Sequence, residues 1–600
     1  MNSTGIFPSQ NSISLYTRSA LFFWGPMMTK SKSDEALAKY EKRPWLKSYP
    51  KDVPCDIQES GKSIIDLIDE STEKWGDKTA VVFYGKKIKH KEIKDMSLRF
   101  ATALNDLGIR KGDVVAVLLP NCPQFMIAYF GILRLGATAS TMSPLYTPRE
   151  IAHQLKDSGA KTIVCLDLLY EKVEKVREEV GLKHAIVTSI EEYLPGMGRF
   201  MGKLSGKTLS AETSNRPGVL LFQDLLEKYP PNPPKVQINP KEDIAALPYT
   251  GGTTGNPKGA VLTHSNLVAL QEQVRCYYPQ IEDGKESSVA ALPFYHIYGQ
   301  SVIMLTGAAR GGMGIMFARP ELDQILDAIQ KYGVTLFYGV PTLYKYLVDE
   351  PMTKRVNWKK MKYLYCGADT LHKETRENWV RLTEKEIYEG YGLTETTAIS
   401  HANPPGRNKP GSLGIPIPGT HAAIADIEKN EFLPVGETGE LVVSGPQIMK
   451  GYWNKPKENE QCFFTAGGRN WFRTGDIAKM DEEGYFYFVE RTKDLIKYKG
   501  LSVYAHEIEE VLYRHPKIKE AAVIGVPDPD VGERIKAIIV PEIDYRGKLT
   551  EEEVKKYCEE RLAPYKVPKI MEFRGEVPKT DVMKVDHKKL REELFRLEGK

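Results

Sequence analysis

From Ser63 onward, apolar and polar positions switch between two periods. Ile93, Met96, Phe100, Leu104 and Leu107 recur three or four residues apart, the face of a helix that Gly108 closes. Residues 113–119 form a β-branched apolar run, the pattern of a strand buried on both faces. Helices through 125–135 and 149–157 follow, then a strand through 162–166. Strands alternating with helices predict an α/β fold of layered sheets with helices on both faces. Residues 192–217, weakly periodic and rich in Gly, Ser and Lys, read as a surface insertion, and proline-dense 230–240 as a connector. The Pro- and Gly-rich stretch 404–418 leads into a smaller β subdomain, with strands in 431–445 and 484–489. After Glu490 the chain turns to short αβ units rich in Lys and Glu, with helices at 507–515 and 551–561 and a strand at 521–526.

Six hundred residues exceed one core, so several domains are expected. The texture divides the chain into a partly disordered leader over 1–48, a large domain over 49–490 and a small α+β domain over 491–600. Hydrophobic residues at 41% and charged residues at 27% fit an ordinary globular protein. A net charge of +4 is too small at this length to argue for nucleic acid, and no basic, aromatic-rich patch stands out. Seven scattered cysteines (Cys55, Cys122, Cys165, Cys276, Cys366, Cys462, Cys558) include no C-x-x-C pair. That disfavours a disulfide framework or structural zinc and favours a reducing, cytoplasmic compartment. No apolar run approaches the ~18 residues of a membrane span. Leu21, Phe22, Phe23 and Trp24 are apolar but too short a run for a signal-peptide core, and Met27 or Met28 offers an alternative start.

The densest chemical signal is Tyr249-Thr250-Gly251-Gly252-Thr253-Thr254-Gly255-Asn256-Pro257-Lys258-Gly259. Glycines leave backbone N–H groups open to close approach, threonine hydroxyls add donors, and Lys258 adds a cation. A polyphosphate needs that combination; a flexible surface loop is the bland alternative. The P-loop pattern does not fit, because Pro257 precedes Lys258 and Gly259 follows it, with no Ser or Thr behind the lysine. Strand-like runs at 244–248 and 260–262 flank the loop, so it does not lead into a helix.

This segment resembles the signature of the acyl-adenylate-forming (AMP-binding) superfamily, and in particular of medium- and long-chain fatty acyl-CoA synthetases. Further matches follow in the family's order: Pro293-Phe294-Tyr295-His296-Ile297-Tyr298-Gly299, Glu389-Gly390-Tyr391-Gly392-Leu393-Thr394-Glu395, Trp471-Phe472-Arg473-Thr474-Gly475-Asp476, Glu490-Arg491-Thr492-Lys493-Asp494-Leu495-Ile496-Lys497, and Pro578-Lys579-Thr580 with Lys584 behind. The resemblance runs from about Ile64 to Leu590. It implies an adenylation domain at 49–490 and a mobile C-terminal domain at 491–600. It also implies activation of a carboxylic acid by MgATP to acyl-AMP, then transfer to coenzyme A.

On this resemblance, Thr250, Gly251, Gly252, Thr253, Thr254, Gly255 and Lys258 hold the ATP phosphates. Glu395 is the Mg²⁺ ligand, with Thr394 at the α-phosphate. Gly367 and Ala368 form the strip against which adenine lies, helped by Tyr391; Glu389 and Gly390 also bind ATP, and Asp476 and Arg491 reach the ribose. Lys584 is the essential cation between carboxylate and α-phosphate; the family commonly has glycine before it, where this chain has Met583. Lys493 is the hinge, and Lys497 and Gly500 enter the CoA channel after rotation. His296, Tyr298, Gly299 and Gly339, with Val340 and Pro341, belong to the acyl pocket, His296 as wall rather than base. Cys366 stands where many relatives have glycine, as a small buried residue without a catalytic role. Trp45-Leu46-Lys47-Ser48-Tyr49-Pro50 and the insertion at 193–207 resemble long-chain ligases. The resemblance also allows a homodimer and transient membrane contact. Alternatives are adenylation of a hydroxy or aryl acid, loading of a carrier-protein thiol, and a non-catalytic ATP- or acyl-binding regulator. The last should have lost Lys584 or Glu395, and this chain keeps both.

Overall fold

A computed structural model describes residues 31–195, 216–250, 257–499, 501–580 and 584–597. Two large sheets build the N-terminal part. One has seven strands in the order Leu262–Thr263, Ile244–Ala246, Thr138–Thr141, Val114–Leu118, Thr162–Leu166, His184–Thr188, Val219–Leu221. Apart from its first, antiparallel strand, its neighbours run parallel. The other has nine strands, with Leu336–Gly339, Tyr363–Cys366 and Ile387–Tyr391 parallel near its middle.

Pro123–Arg134 is buried along its whole length, as a helix apolar on every side must be. The charge that interrupts its sequence is neutralised: Arg134 donates two hydrogen bonds to Asp69, at 2.8 and 3.0 Å, and one from Nε to Ser97 Oγ. The helix expected from Ile93 to Leu107 spans His90–Asp106, and Gly108 follows at φ 89°. A side chain would be strained at that dihedral, which explains the stop.

A third sheet carries His421–Ala425, Thr438–Ser444, Arg469–Met480, Phe463–Ala466 and Phe486–Arg491, the expected β subdomain. Lys32–Glu41 is a helix with a Ser31–Asp34 capping box, and Pro44–Ser48 is a 3-10 turn that buries Trp45 completely. Thus residues 31–48 of the expected leader are folded against the β subdomain, where Gly484 makes room for Trp45: a Cβ at 484 would stand 2.4 Å from the Trp45 Cα. The C-terminal sheet comprises Leu501–Val503, Ile496–Tyr498, Gly532–Pro541, Ile518–Asp528 and Ile570–Phe573, with its own apolar core. Among the described residues no helix is long and apolar enough to cross a membrane.

Two local features differ from expectation. Of 260–262, Leu262 joins a strand with Thr263 while Ala260 makes only an isolated bridge to Tyr452. Tyr298–Leu305 is a π-helix, eight residues long, that no sequence period announces.

Candidate active site

The parallel strands Leu336–Gly339, Tyr363–Cys366 and Ile387–Tyr391 end at a cavity of about 930 Å³, bounded also by the β subdomain and the C-terminal tail. Such a position, outside the carboxyl ends of parallel strands, is where open α/β sheets bind ligands. Gly367 and Ala368 continue the middle strand along the wall. A Cβ at 367 would meet the Gly390 carbonyl at 3.3 Å and the Tyr298 ring at 3.4 Å, so glycine keeps that strip open. Burial pushes the Cys366 thiol well above its usual range, which leaves it inert.

The two described ends of the glycine-rich segment pair with each other. Tyr249–Thr250 pairs antiparallel with Lys258–Gly259, which places Thr250 opposite Lys258 at the cavity edge. Lys258 is buried, its Nζ 5.2 Å from the Tyr452 ring centroid and 3.9 Å from Glu458. Gly251, Gly252, Thr253, Thr254 and Gly255 lie outside the described residues.

Glu395 sits with Thr394 on the 3-10 turn Thr394–Thr396 and is 8% exposed. Burial raises its pKa, against a hydrogen bond from the Tyr452 hydroxyl to Oε1 at 2.6 Å. A desolvated carboxylate of this kind is short of positive charge. Opposite it, strand pairing sets Asp476 beside Arg491, with Nε 3.6 Å from Oδ1, while the Tyr391 hydroxyl donates to Oδ2 at 2.7 Å. The preceding Gly475 has φ 73° and donates to Glu440 Oε1 at 3.0 Å, a bend that fixes Asp476 where it is only 4% exposed.

Lys584 reaches the same cavity from the C-terminal tail. Two backbone hydrogen bonds hold it: the Thr580 amide donates to the Lys584 carbonyl at 2.8 Å, and the Asp586 amide to the Pro578 carbonyl at 2.8 Å. Burial and then the neighbouring Arg491 push its pKa down to about 8. Lys493, on the turn Thr492–Asp494, also borders the cavity. The next residue, Asp494, pairs with Arg591 of the helix His587–Leu597 at 2.6 Å, and His587 of that helix meets Glu509 at 2.7 Å.

His296 and Tyr298 line the cavity beside the apolar residues Val274, Tyr278, Val302 and Tyr365. Burial and then the Lys584 charge push the imidazole pKa down to about 4, and its Nδ1 accepts from the Tyr298 amide at 3.3 Å, which describes a neutral wall residue.

The geometry therefore gathers Thr250, Lys258, Gly367, Ala368, Gly390, Tyr391, Thr394, Glu395, Asp476, Arg491, Lys493, Lys584, His296 and Tyr298 on one cavity. Other expected members sit elsewhere. Glu389 does not line it; its carboxylate accepts from the Gly411 amide at 2.9 Å and stands 3.6 Å from Arg376. Gly299 and Gly339 lie behind the wall as packing positions, where a Cβ would stand 2.3 Å from the Pro293 carbonyl and 2.8 Å from the Tyr344 ring. Val340 and Pro341 are also off the lining. Lys497 is exposed on the C-terminal strand Ile496–Tyr498, away from the cavity, and Gly500 lies outside the described residues. Tyr452, which touches both Glu395 and Lys258, belongs to none of the expected motifs; its only sequence signal is an aromatic next to Gly451 in a polar turn.

The sequence model of the AMP-binding enzyme family matches residues 68–453, and that of the AMP-binding enzyme C-terminal domain matches 507–584. A long-chain-fatty-acid–CoA ligase of Bacillus subtilis (strain 168) is 38% identical over 92% of this chain and 98% of its own. The crystal structure of ATP-bound MatB from Rhodopseudomonas palustris is 28% identical with TM-score 0.77, covering 89% of this chain and 99% of that one. A long-chain-fatty-acid–CoA ligase structure from Archaeoglobus fulgidus, also 28% identical, superposes with TM-score 0.65 over 88% of this chain and 99% of that one. Together with the adenylate-forming fold, these matches establish that the chain belongs to the AMP-binding enzyme family.

Proposed function

We infer that this chain is an AMP-forming fatty acyl-CoA synthetase, an acid–thiol ligase whose substrates are ATP, a fatty acid and CoA. A carboxylate is a poor electrophile. In the first reaction one of its oxygens attacks the α-phosphorus of ATP, the bond to pyrophosphate breaks, and acyl-AMP forms. In the second the CoA sulfur attacks the acyl carbon, and AMP leaves with the bonding pair.

The acid is ionised at neutral pH, its pKa near ~4.3, so the first step needs no base. It needs cations where two anions meet, and preorganised charge is the usual source of such stabilisation. The observation that carries the reading is the convergence of Lys584 and Arg491, from the C-terminal tail and the β subdomain, on one cavity with Asp476 and Glu395. In this reading Lys584 bridges the acyl carboxylate and α-phosphate, Asp476 and Arg491 take the ribose, and Lys258 with the glycine-rich segment takes the outgoing phosphates. Glu395 would hold Mg²⁺, for which a buried carboxylate beside a phosphate loop is a fitting oxygen donor. When bound, that ion supplies charge neutralisation to the phosphate oxygens. Thr394 orients the α-phosphate beside it.

The apolar arm of the cavity, between Val274, Tyr278, Val302 and Tyr365, suits an aliphatic chain rather than acetate. With the long-chain ligases among its relatives, this supports a long-chain acid. The seven unpaired cysteines support a reducing, cytoplasmic setting. A homodimer is part of the proposal, and light scattering checks it.

The deciding experiment follows pyrophosphate release from a fatty acid and MgATP, then thioester formation on adding CoA. Lys584→Ala is expected to lose adenylation by about 100-fold or more while still converting supplied acyl-AMP to acyl-CoA. Undiminished pyrophosphate release in that variant would remove the lysine from the mechanism. Release without any thioester, even with CoA present, would instead favour a carrier-protein thiol as acceptor.

A further inference from the structure

The apolar arm does not end at Tyr338. A second, smaller cavity of about 40 Å³ lies beyond it, and Ile281, Val302 and Tyr338 line both. Each of the three is only 4% exposed, so the two spaces share a buried wall to which these residues contribute.

The second space is chiefly apolar. Met126, Met304, Met313 and Met316 line it, from the buried helix, the π-helix and a neighbouring strand. Methionine side chains are unbranched and adaptable, so four of them around one small void make a compartment that can enlarge without breaking a packed core. The compartment also has a polar side. Glu286 and Arg310 line it, 8% and 6% exposed. Glu286 Oε1 is occupied by the Glu282 amide at 2.8 Å and by Lys362 Nζ at 2.7 Å, while Oε2 has no hydrogen-bond partner. Arg310 Nε is held by Asp283 at 2.6 Å, while Nη1 has none. Covering such atoms with hydrocarbon is costly, so these two charged groups, each paired elsewhere, form a boundary that a methyl terminus does not cross.

Resting on the fatty-acid reading above, we propose that this methionine-lined compartment receives the far end of a long acyl chain, and that Val302 is the gauge residue that sets how much chain can enter. Val302 is placed for this role. It sits on the same π-helix as Tyr298, which walls the reactive end of the cavity, so one element spans both ends of the acyl path. Short acids stop before the partition. Long ones displace it and fill the methionine side.

The test compares kcat/KM for octanoic, dodecanoic and hexadecanoic acids in the wild type, Val302→Phe and Val302→Ala. A pocket change of one or a few methylenes changes discrimination by roughly 10–200-fold. Val302→Phe narrows the partition and is expected to lower the hexadecanoate-to-octanoate ratio by about tenfold or more. Val302→Ala widens it and is expected to move the ratio the other way. A folding defect would depress all three acids alike, so opposite shifts in the ratio separate selection from damage. Ratios that stay at the wild-type value in the Ala variant, whatever the Phe variant does, overturn the assignment of Val302 and the compartment. A wild type that forms no thioester from any of the three acids overturns instead the fatty-acid reading on which the proposal rests.

Discussion

At the scale of single residues, the site works by placing charge where water is scarce. Lys584 shows the cost and the use of this. Burial, with Arg491 close by, holds its pKa down at about 8, so the free enzyme begins to lose the ammonium charge just above neutrality. The kcat/KM of pyrophosphate release should therefore fall as pH rises through about 8, since kcat/KM reports groups of the free enzyme. Lys584→Arg, whose guanidinium keeps its proton throughout that range, should remove this limb whatever its absolute rate. A limb that survives the substitution would belong to another group. Residue roles were unevenly legible. Glu395 and Asp476 stand inside motifs whose neighbours fix their backbone, and both line the cavity. Glu389 stands in such a motif as well, yet its carboxylate turns to Arg376 and the Gly411 amide, contacts from distant sequence that no local pattern encodes. Tyr452 was invisible for the same reason: its hydroxyl matters only because the fold brings Glu395 to it.

At the scale of elements, the strands of the N-terminal sheets were readable because burial on both faces leaves an unbroken apolar run, as in Thr162–Leu166, buried at every position. The π-helix Tyr298–Leu305 was not, since an i to i+5 pattern departs from the helical period that reveals an ordinary helix. The C-terminal helix His587–Leu597 adds a titration of its own. Burial alone would lower the His587 pKa, but Glu509 lifts it to about 9, with Asp494 and Glu490 adding to the rise. A raised histidine stabilises fully below its unfolded value of 6.5 and loses that contribution as pH climbs through about 9. The shift corresponds to about 3 kcal/mol. Amide exchange within the helix should quicken between those pH values, and His587→Ala should show the fast exchange already at pH 6, about 3 kcal/mol weaker in protection. Equal protection in both proteins across the range would detach the helix from this pair.

At the scale of the whole molecule, two groups assigned to successive steps occupy opposite situations. Lys584 lies in the cavity while Lys497 lies outside it on the C-terminal sheet. The arrangement fits the first reaction, and we propose that the C-terminal domain turns about Lys493 for the second. Proline at 493 fixes φ near −65°, which the present 3-10 turn accepts and a large dihedral change does not. Lys493→Pro is therefore expected to keep acyl-AMP formation within a few-fold of normal and to slow thioester formation by about tenfold or more, read in separate single-turnover assays. Equal losses in both would place the pivot elsewhere.

The ion pair between Arg591 and Asp494 links the helix His587–Leu597 to the residue next to that proposed pivot. Unpairing the two in Arg591→Ala would release that turn from the helix, and a single-turnover thioester assay, set beside pyrophosphate release, reads whether the second reaction alone feels the loss.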